Sequence, residues 1–234
     1  MIRKKLFVAF SILILSYFET TAQKLNTEPV VKGDYKILKL DVLSLMGLGV
    51  QKMHVSYETS PLKSGKDHLP SINFNLNIPL SSTSEDLNIR YGAEIGGEIR
   101  FYQLKRHQET PIAEGAFLGM GIDGGAVKFD RNETFYNSSI GAYKESNVIY
   151  NRVRTGIYFL VGGASKIGER LFFESSIGLG WNNVNVKPTN NEIGDGYQLQ
   201  RSDDNIIYLN FWEGKGQRFY MPINVSLGYN FGNR

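Results

Sequence analysis

The stretch LNIRYGAEIGGEIRFY, residues Leu87–Tyr102, alternates between two kinds of residue along its length. From Ile89 to Phe101 every odd position is uncharged, whereas the even positions are polar, charged or glycine. A two-residue period predicts a β-strand with one apolar face and one ionic face. Globular strands usually contain about 5–6 residues, and a tilted strand that crosses a bilayer needs roughly 9–11. The length of this stretch therefore favours a membrane-crossing strand.

Seven further segments show the same alternation, which gives eight predicted strands in all. The clearest lies at 71–80, where large apolar residues alternate with serine and asparagine. The 25 glycines suit strand packing and turns better than helices. The other predicted strands are residues 35–45, 50–58, 112–125, 148–165, 170–181 and 219–231.

The N-terminus has the parts of a secretory signal peptide. Three basic residues precede the apolar run 6–18, and the small residues Thr20–Ala22 follow it. We expect residues 1–22 to be removed and 23–234 to form one barrel domain; a retained N-terminal anchor is the alternative. Removal lowers the formal charge from +3 to +1, so the basic pI does not indicate nucleic acid as a partner.

Two absences in the sequence exclude classes of protein. With no cysteine, the chain has no disulfide, thiol nucleophile, thiolate metal site or lipobox. Beyond residue 22 no apolar run approaches the roughly 18 residues of a spanning helix, which excludes a helical membrane protein.

The faces of the strands decide between a soluble and a membrane protein. Turned inward, the apolar faces would bring far more large side chains to a small barrel than the about a dozen that its central layers hold. A two-sheet sandwich could absorb more of them and stays an alternative. Turned outward, they leave glycine, serine and asparagine to fill a narrow lumen. We therefore predict an all-β, eight-stranded antiparallel up-and-down transmembrane β-barrel.

The polar faces of these strands carry six basic and six acidic residues besides one histidine. Buried charges persist only when they are paired, so this balance predicts a plugged, salt-bridged lumen. The predicted lumen charge network is Lys39, Asp41, Lys52, His54, Glu58, Arg90, Glu94, Glu98, Arg100, Asp123, Arg152, Arg154 and Glu174.

Three features resemble a known family: the export signal, the pair Tyr57–Glu58 closing the second strand, and the ending SLGYNFGNR. Together they resemble small eight-stranded outer-membrane barrels, the OmpA-transmembrane-domain and porin-like outer-membrane β-barrel group. Tyr229 and Phe231 are similar to the aromatic C-terminal signal read by the outer-membrane assembly machinery. The resemblance implies that machinery and outer-membrane lipid as partners, in a Gram-negative cell envelope.

Two long segments between predicted strands, 128–147 and 183–217, are expected as outer loops, because such barrels carry their longer loops outside. Aromatic residues with arginine are typical of binding surfaces, although these rings could instead pack together and cap the barrel. The predicted surface-binding residues are Phe135, Tyr136, Tyr143, Tyr197, Tyr208 and Trp212.

Sequence patterns typical of enzymes are weak here. The GxGxxG match at 119–124 lies inside a predicted strand and lacks the helix that a dinucleotide site needs. Glu94 and Glu98 would lie about 13 Å apart on one strand, beyond the usual separation of glycosidase carboxylates. His54 has Ser56 nearby but no third orienting group. We expect no enzyme activity, no cofactor and no metal.

The function expected from sequence is structural or in surface interaction, at the outer membrane. Three alternatives belong to other classes: a narrow pore for small solutes, an envelope enzyme, and a soluble exported binding barrel. The extracellular ligand or partner is not identified by the sequence.

Overall fold

The computed structural model describes residues 35–46, 50–59, 70–82, 87–102, 113–189, 196–200 and 210–232. The predicted signal peptide at 1–22 lies outside these residues. The elements are β1 (Lys36–Asp41), α1 (Val42–Met46), β2 (Val50–Thr59), β3 (Ser71–Ser82), β4 (Leu87–Tyr102), β5 (Gly115–Asn137), β6 (Ala142–Lys166), β7 (Leu171–Pro188), β8 (Gln198–Gln200), β9 (Gly214–Tyr220) and β10 (Ile223–Asn230).

The strands form a closed barrel in which each pairs antiparallel with its neighbour. The ring closes because β10 pairs with β1 on one side and with β7 on the other. Segments β9 and β10 are two halves of one barrel strand, interrupted at 221–222, where Pro222 has no N–H to donate. The prediction of an all-β, eight-stranded antiparallel barrel is confirmed.

The apolar faces of the strands point outward and the ionic faces point inward. On β4 the exposed fraction is 67% for Ile95 but only 1% for its neighbour Glu94. Large apolar residues of all the long strands are exposed in the same way, among them Leu118, Phe159 and Leu179. The sandwich alternative, which buries these residues, is therefore wrong.

A β-bulge at Arg90 reverses this alternation near the start of β4. Ile89 pairs with Phe129 and Tyr91 with Lys128, so one residue is extra on β4. Ile89 is consequently 8% exposed and faces inward, while Tyr91 is 64% exposed. The period read from the sequence holds from Tyr91 onward and is wrong for Ile89.

The barrel wall is much taller on one side. We call the end where β1 begins and β10 ends the lower end; strands β5 and β6 contain 23 and 25 residues and rise far toward the upper end. The expected loop at 128–147 is wrong, since these strands continue to a turn at 138–141. In the expected loop at 183–217, β7 runs to Pro188 and β9 begins at Gly214, while 190–195 and 201–209 lie outside the described residues.

The upper wall has a seam beside β1. This strand ends at Asp41, and above it β9 pairs only with β7 among the described residues. The short helix α1 takes the place of a strand here. Ser44 of α1 donates a hydrogen bond to the Lys52 carbonyl, with the oxygens 3.0 Å apart, which ties α1 to β2. No helix in the described residues is long and apolar enough to cross a membrane.

Candidate functional site: the charged lumen

The lower part of the lumen is filled by three carboxylates and two cations, which we call the lower ion cluster: Lys39, Glu58, Glu98, Arg100 and Glu174. Arg100 Nη1 lies 2.8 Å from Glu174 Oε1 and 3.1 Å from Glu58 Oε2, and Arg100 Nε lies 2.7 Å from Glu98 Oε2. Lys39 binds both Glu58 and Glu174. All five side chains are buried.

Neutral donors stabilise the extra negative charge of this cluster. Tyr102 donates to Glu58 with an oxygen–oxygen distance of 2.9 Å, and Tyr158 donates to Glu98 at 2.8 Å. The amide of Asn75 donates to the same Glu98 at 2.8 Å. Hydrogen bonds to ionised carboxylates are among the stronger ones in proteins, so these donors help two cations to hold three carboxylates.

The middle of the lumen has the opposite imbalance. The upper ion cluster contains Lys52, Glu94, Asp123, Arg152 and Arg154. Arg152 and Arg154 both bind Glu94, and Arg154 Nη2 lies 2.6 Å from Asp123 Oδ2. Lys52 is close enough to Glu94 for electrostatic attraction. Three cations here and three anions below make the two clusters balance at five charges of each sign.

A third polar site lies at the base of the seam, around Asp41. Its carboxylate accepts the backbone N–H groups of Leu43 at 2.9 Å and of Val225 at 3.1 Å. His54 Nδ1 lies 3.2 Å from the other carboxylate oxygen. Asp41 therefore joins α1, β2 and β10, which is a structural task.

Above the ion clusters the barrel contains an apolar plug, in agreement with the alternative that rings of the two predicted loops pack together and cap the barrel. Arg152 lies 4.4 Å from the ring centroid of Phe211. Phe211 packs edge-on against Phe129 at 5.2 Å, and Phe129 stacks on Tyr150 at 5.3 Å. We call this cluster the upper core: Leu87, Ile89, Val127, Phe129, Phe135, Val148, Tyr150, Val184, Val186 and Phe211.

Arg90 is the predicted lumen residue that the structure places elsewhere. Because of the bulge it lies on the outer surface, with a side chain 42% exposed and its Nε 2.8 Å from Asp130 Oδ1. Burial alone would raise the pKa of Asp130, but hydrogen bonds from Arg90, Asn147 and Asn88 outweigh it and lower that pKa. The lumen assignment of Arg90 is wrong.

The predicted surface-binding residues divide into three groups. Phe135 is 3% exposed and belongs to the upper core, so its assignment to a surface loop is wrong. Tyr136 and Tyr143 face each other across the hairpin with centroids 4.8 Å apart, and Tyr143 is 65% exposed. Tyr197 packs against the upper core, Trp212 is half-buried, and Tyr208 lies outside the described residues.

The two carboxylates that the sequence suggests as a possible catalytic pair are engaged in separate ion pairs. Glu94 and Glu98 belong to different ion clusters, each with bound cations or donors. The described residues contain no group of histidine and acidic side chains placed to hold a metal ion. Comparisons with family models, with curated proteins and with solved structures find no match for this chain.

Proposed function

We propose that the chain is an integral outer-membrane β-barrel with a closed lumen and a structural or surface-interaction role. The observation that carries the proposal is the inverted arrangement of the barrel, with ion pairs inside and apolar residues outside. In water the exposed apolar surface would favour aggregation. In a bilayer the same surface faces acyl chains.

The height of the apolar surface supports this proposal. On β7 it extends from Leu171 to Trp181, which are 51% and 50% exposed. Ten residue steps correspond to about 33 Å along a strand. The usual tilt of about 35–45° reduces this length to roughly 25 Å, the height of the lipid-facing band in outer-membrane barrels.

Aromatic residues at both edges of the apolar surface also support the proposal. Tyr91, Trp181 and Phe219 lie outward at its upper edge, and Phe101 and Tyr229 at its lower edge. Aromatic girdles occur at both interfaces of such barrels. With the chain termini on the periplasmic side, the tall upper end would face outward from the cell.

The test is fractionation combined with gel migration. We expect the protein in the outer-membrane fraction, soluble only with detergent, and migrating differently before and after boiling. A protein that stays in the periplasmic contents and needs no detergent would contradict the proposal and favour a soluble exported binding barrel.

A further inference from the structure

A row of polar side chains crosses the outer surface above the apolar band, directly above it on β5 and β6 and six residues above Trp181 on β7. Lys128 on β5 pairs with Asn151 on β6, and Asn151 pairs with Lys187 on β7. Neighbouring strands are about 4.8 Å apart, so the two lysine Cα atoms are separated by roughly 10 Å. Tyr91 continues the row on β4, with its ring centroid 5.8 Å from Lys128 Nζ.

The two lysines of this row are available to bind an anion. Lys187 and Asn151 are exposed and Lys128 is half-buried beside Tyr91. Neither lysine forms an ion pair with any residue that the structure describes. Arg90, also on this surface, is already held by Asp130. Two unpaired ammonium groups and an amide between them suit a phosphate group.

Directly below the row, the outer surface contains an apolar groove with a volume of about 660 Å³. Its floor is made by Gly97 and Gly124, and its outward walls by Phe74, Ile95, Ile122 and Thr155. The alternate positions Asn75, Gly96, Asp123 and Gly156 complete the lining. Register places Gly97 between Phe74 and Ile122 on the adjacent strands. The volume is within the roughly 300–1,000 Å³ typical of ligand sites.

The row lies above the groove on the same strands, and by the same number of residues on β5 and on β6. Lys128 is four residues above Gly124 on β5, and Asn151 is four residues above Thr155 on β6. Four residues extend about 13 Å along a strand, which is roughly 10 Å in height at the usual strand tilt. This height is less than the roughly 15 Å from the surface of the hydrocarbon layer to its midplane, so one lipid would reach both.

We infer that this face binds one net-anionic, phosphate-bearing lipid, with its phosphate on Lys128 and Lys187 and an acyl chain in the glycine-floored groove. The inference rests on the proposed function, because only a barrel within a bilayer meets such lipids. The attraction between basic side chains and anionic headgroups provides the preference for net negative charge. The groove provides a fixed position for the chain.

The experiment uses the full chain purified from membranes in detergent micelles. Native mass spectrometry measures the binding of dioleoyl phosphatidylglycerol, of dioleoyl phosphatidylcholine and of glycerol phosphate as a headgroup without chains. We expect phosphatidylglycerol to bind most tightly and glycerol phosphate not to compete. Competition by glycerol phosphate at equal concentration would overturn the inference in favour of a soluble phosphate compound.

Two pairs of variants separate the headgroup from the chain. The double substitution Lys128→Gln and Lys187→Gln is expected to weaken phosphatidylglycerol binding about tenfold or more and to leave phosphatidylcholine unchanged. The double substitution Lys36→Gln and Lys166→Gln, at the lower ends of β1 and β6, is the charge-matched control and should change neither. Equal affinity of the double variant and the wild type would overturn the headgroup site.

Gly97→Leu tests the groove, since a Cβ at Gly97 meets no atom within 4 Å and the added side chain can fill the groove. It should weaken both lipids, whereas Ser175→Leu, an outward residue on β7, should weaken neither. Identical binding by these two variants would overturn the groove assignment. Failure of the proposed function is distinguishable from failure of the lipid inference. In the first case the protein is absent from the membrane fraction, before any lipid binding is measured.

Discussion

Single residues show how strongly the value of an ion pair depends on its surroundings. Glu94 is 1% exposed and is bound by two arginines, whereas Arg90 holds Asp130 on the outer surface. Breaking a buried pair leaves an uncompensated charge, but a surface pair is screened by water. The two sites therefore allow a matched comparison within one barrel.

We expect Glu94→Gln to reduce the free energy of unfolding by about 3–5 kcal/mol and Arg90→Gln by less than about 1 kcal/mol. Urea unfolding of the protein in lipid vesicles measures both. The pKa of Asp130 is lowered in the folded state. Ionised Asp130 therefore stabilises the folded protein at pH values above the ordinary aspartate pKa, and this stabilisation is lost as the pH falls through the lowered pKa. Equal losses for the two variants would contradict this view of the lumen.

The outward orientation of Ile95 leads to a separate prediction. Ile95→Arg places a charge on the apolar band and should cost roughly 2–4 kcal/mol near the bilayer midplane, thereby reducing assembly. Heat-modifiable migration of the membrane fraction provides the measurement. Ile95→Phe is the control, because it adds bulk without charge. Assembly of the arginine variant at the wild-type level would rule out the membrane proposal for this face.

At the scale of elements, β4 and β5 approach each other very closely at one point. A Cβ added to Gly125 would lie 2.2 Å from the Ala93 carbonyl oxygen and 2.5 Å from the Glu94 Cα, both backbone atoms. A Cβ added to Gly97 on β4, by contrast, would meet no atom within 4 Å. The two glycines thus differ in packing, although the sequence alone makes them look alike.

We expect Gly125→Ala to lower the unfolding free energy by about 1–3 kcal/mol, the usual cost of overpacking. Gly97→Ala should be neutral, because its methyl group meets nothing. Thermal unfolding followed by gel migration compares them. A stable Gly125→Ala variant would mean that β4 and β5 separate more easily than their register suggests.

The existence of each barrel strand was predictable from the sequence, whereas the lengths of β5 and β6 were not. Period-two alternation located all eight barrel strands because each has one apolar face. The sequence predicts a loop over the upper part of β5 and over 142–147 of β6, since polar residues such as Asn132 and Glu145 face water there. The inward apolar residues of that part of β5, Phe129 and Phe135, are the available signal for a strand. The bulge at Arg90 depends on pairing with β5, which no local pattern reports.

For the whole molecule, two different groups of described side chains occupy the lumen in series. The ion clusters fill its lower and middle parts, and the upper core covers Arg152 through Phe211. A small barrel of eight strands has an interior just wide enough to be filled by its own side chains. A continuous water path therefore requires both groups to move aside together.

We expect planar bilayers containing the purified protein to show no conductance steps. Phe211→Ala removes part of the upper core yet should remain non-conducting, because the ion clusters below are unchanged. Steady ohmic currents from the wild type would favour the narrow pore instead. Currents from Phe211→Ala alone would show that the ion clusters do not seal the lumen.

The seam beside β1 has a consequence for how the wall comes apart. Where α1 replaces a strand, the edge of β9 away from β7 and the edge of residues 50–54 of β2 away from β3 have no cross-strand partner among the described residues. Backbone amides there should exchange with deuterium sooner than those of β5 and β6, which pair along 23 positions from Gly115 to Asn137. Unfolding of the barrel would then begin with separation of the strands at the seam and proceed from strand to strand around the barrel.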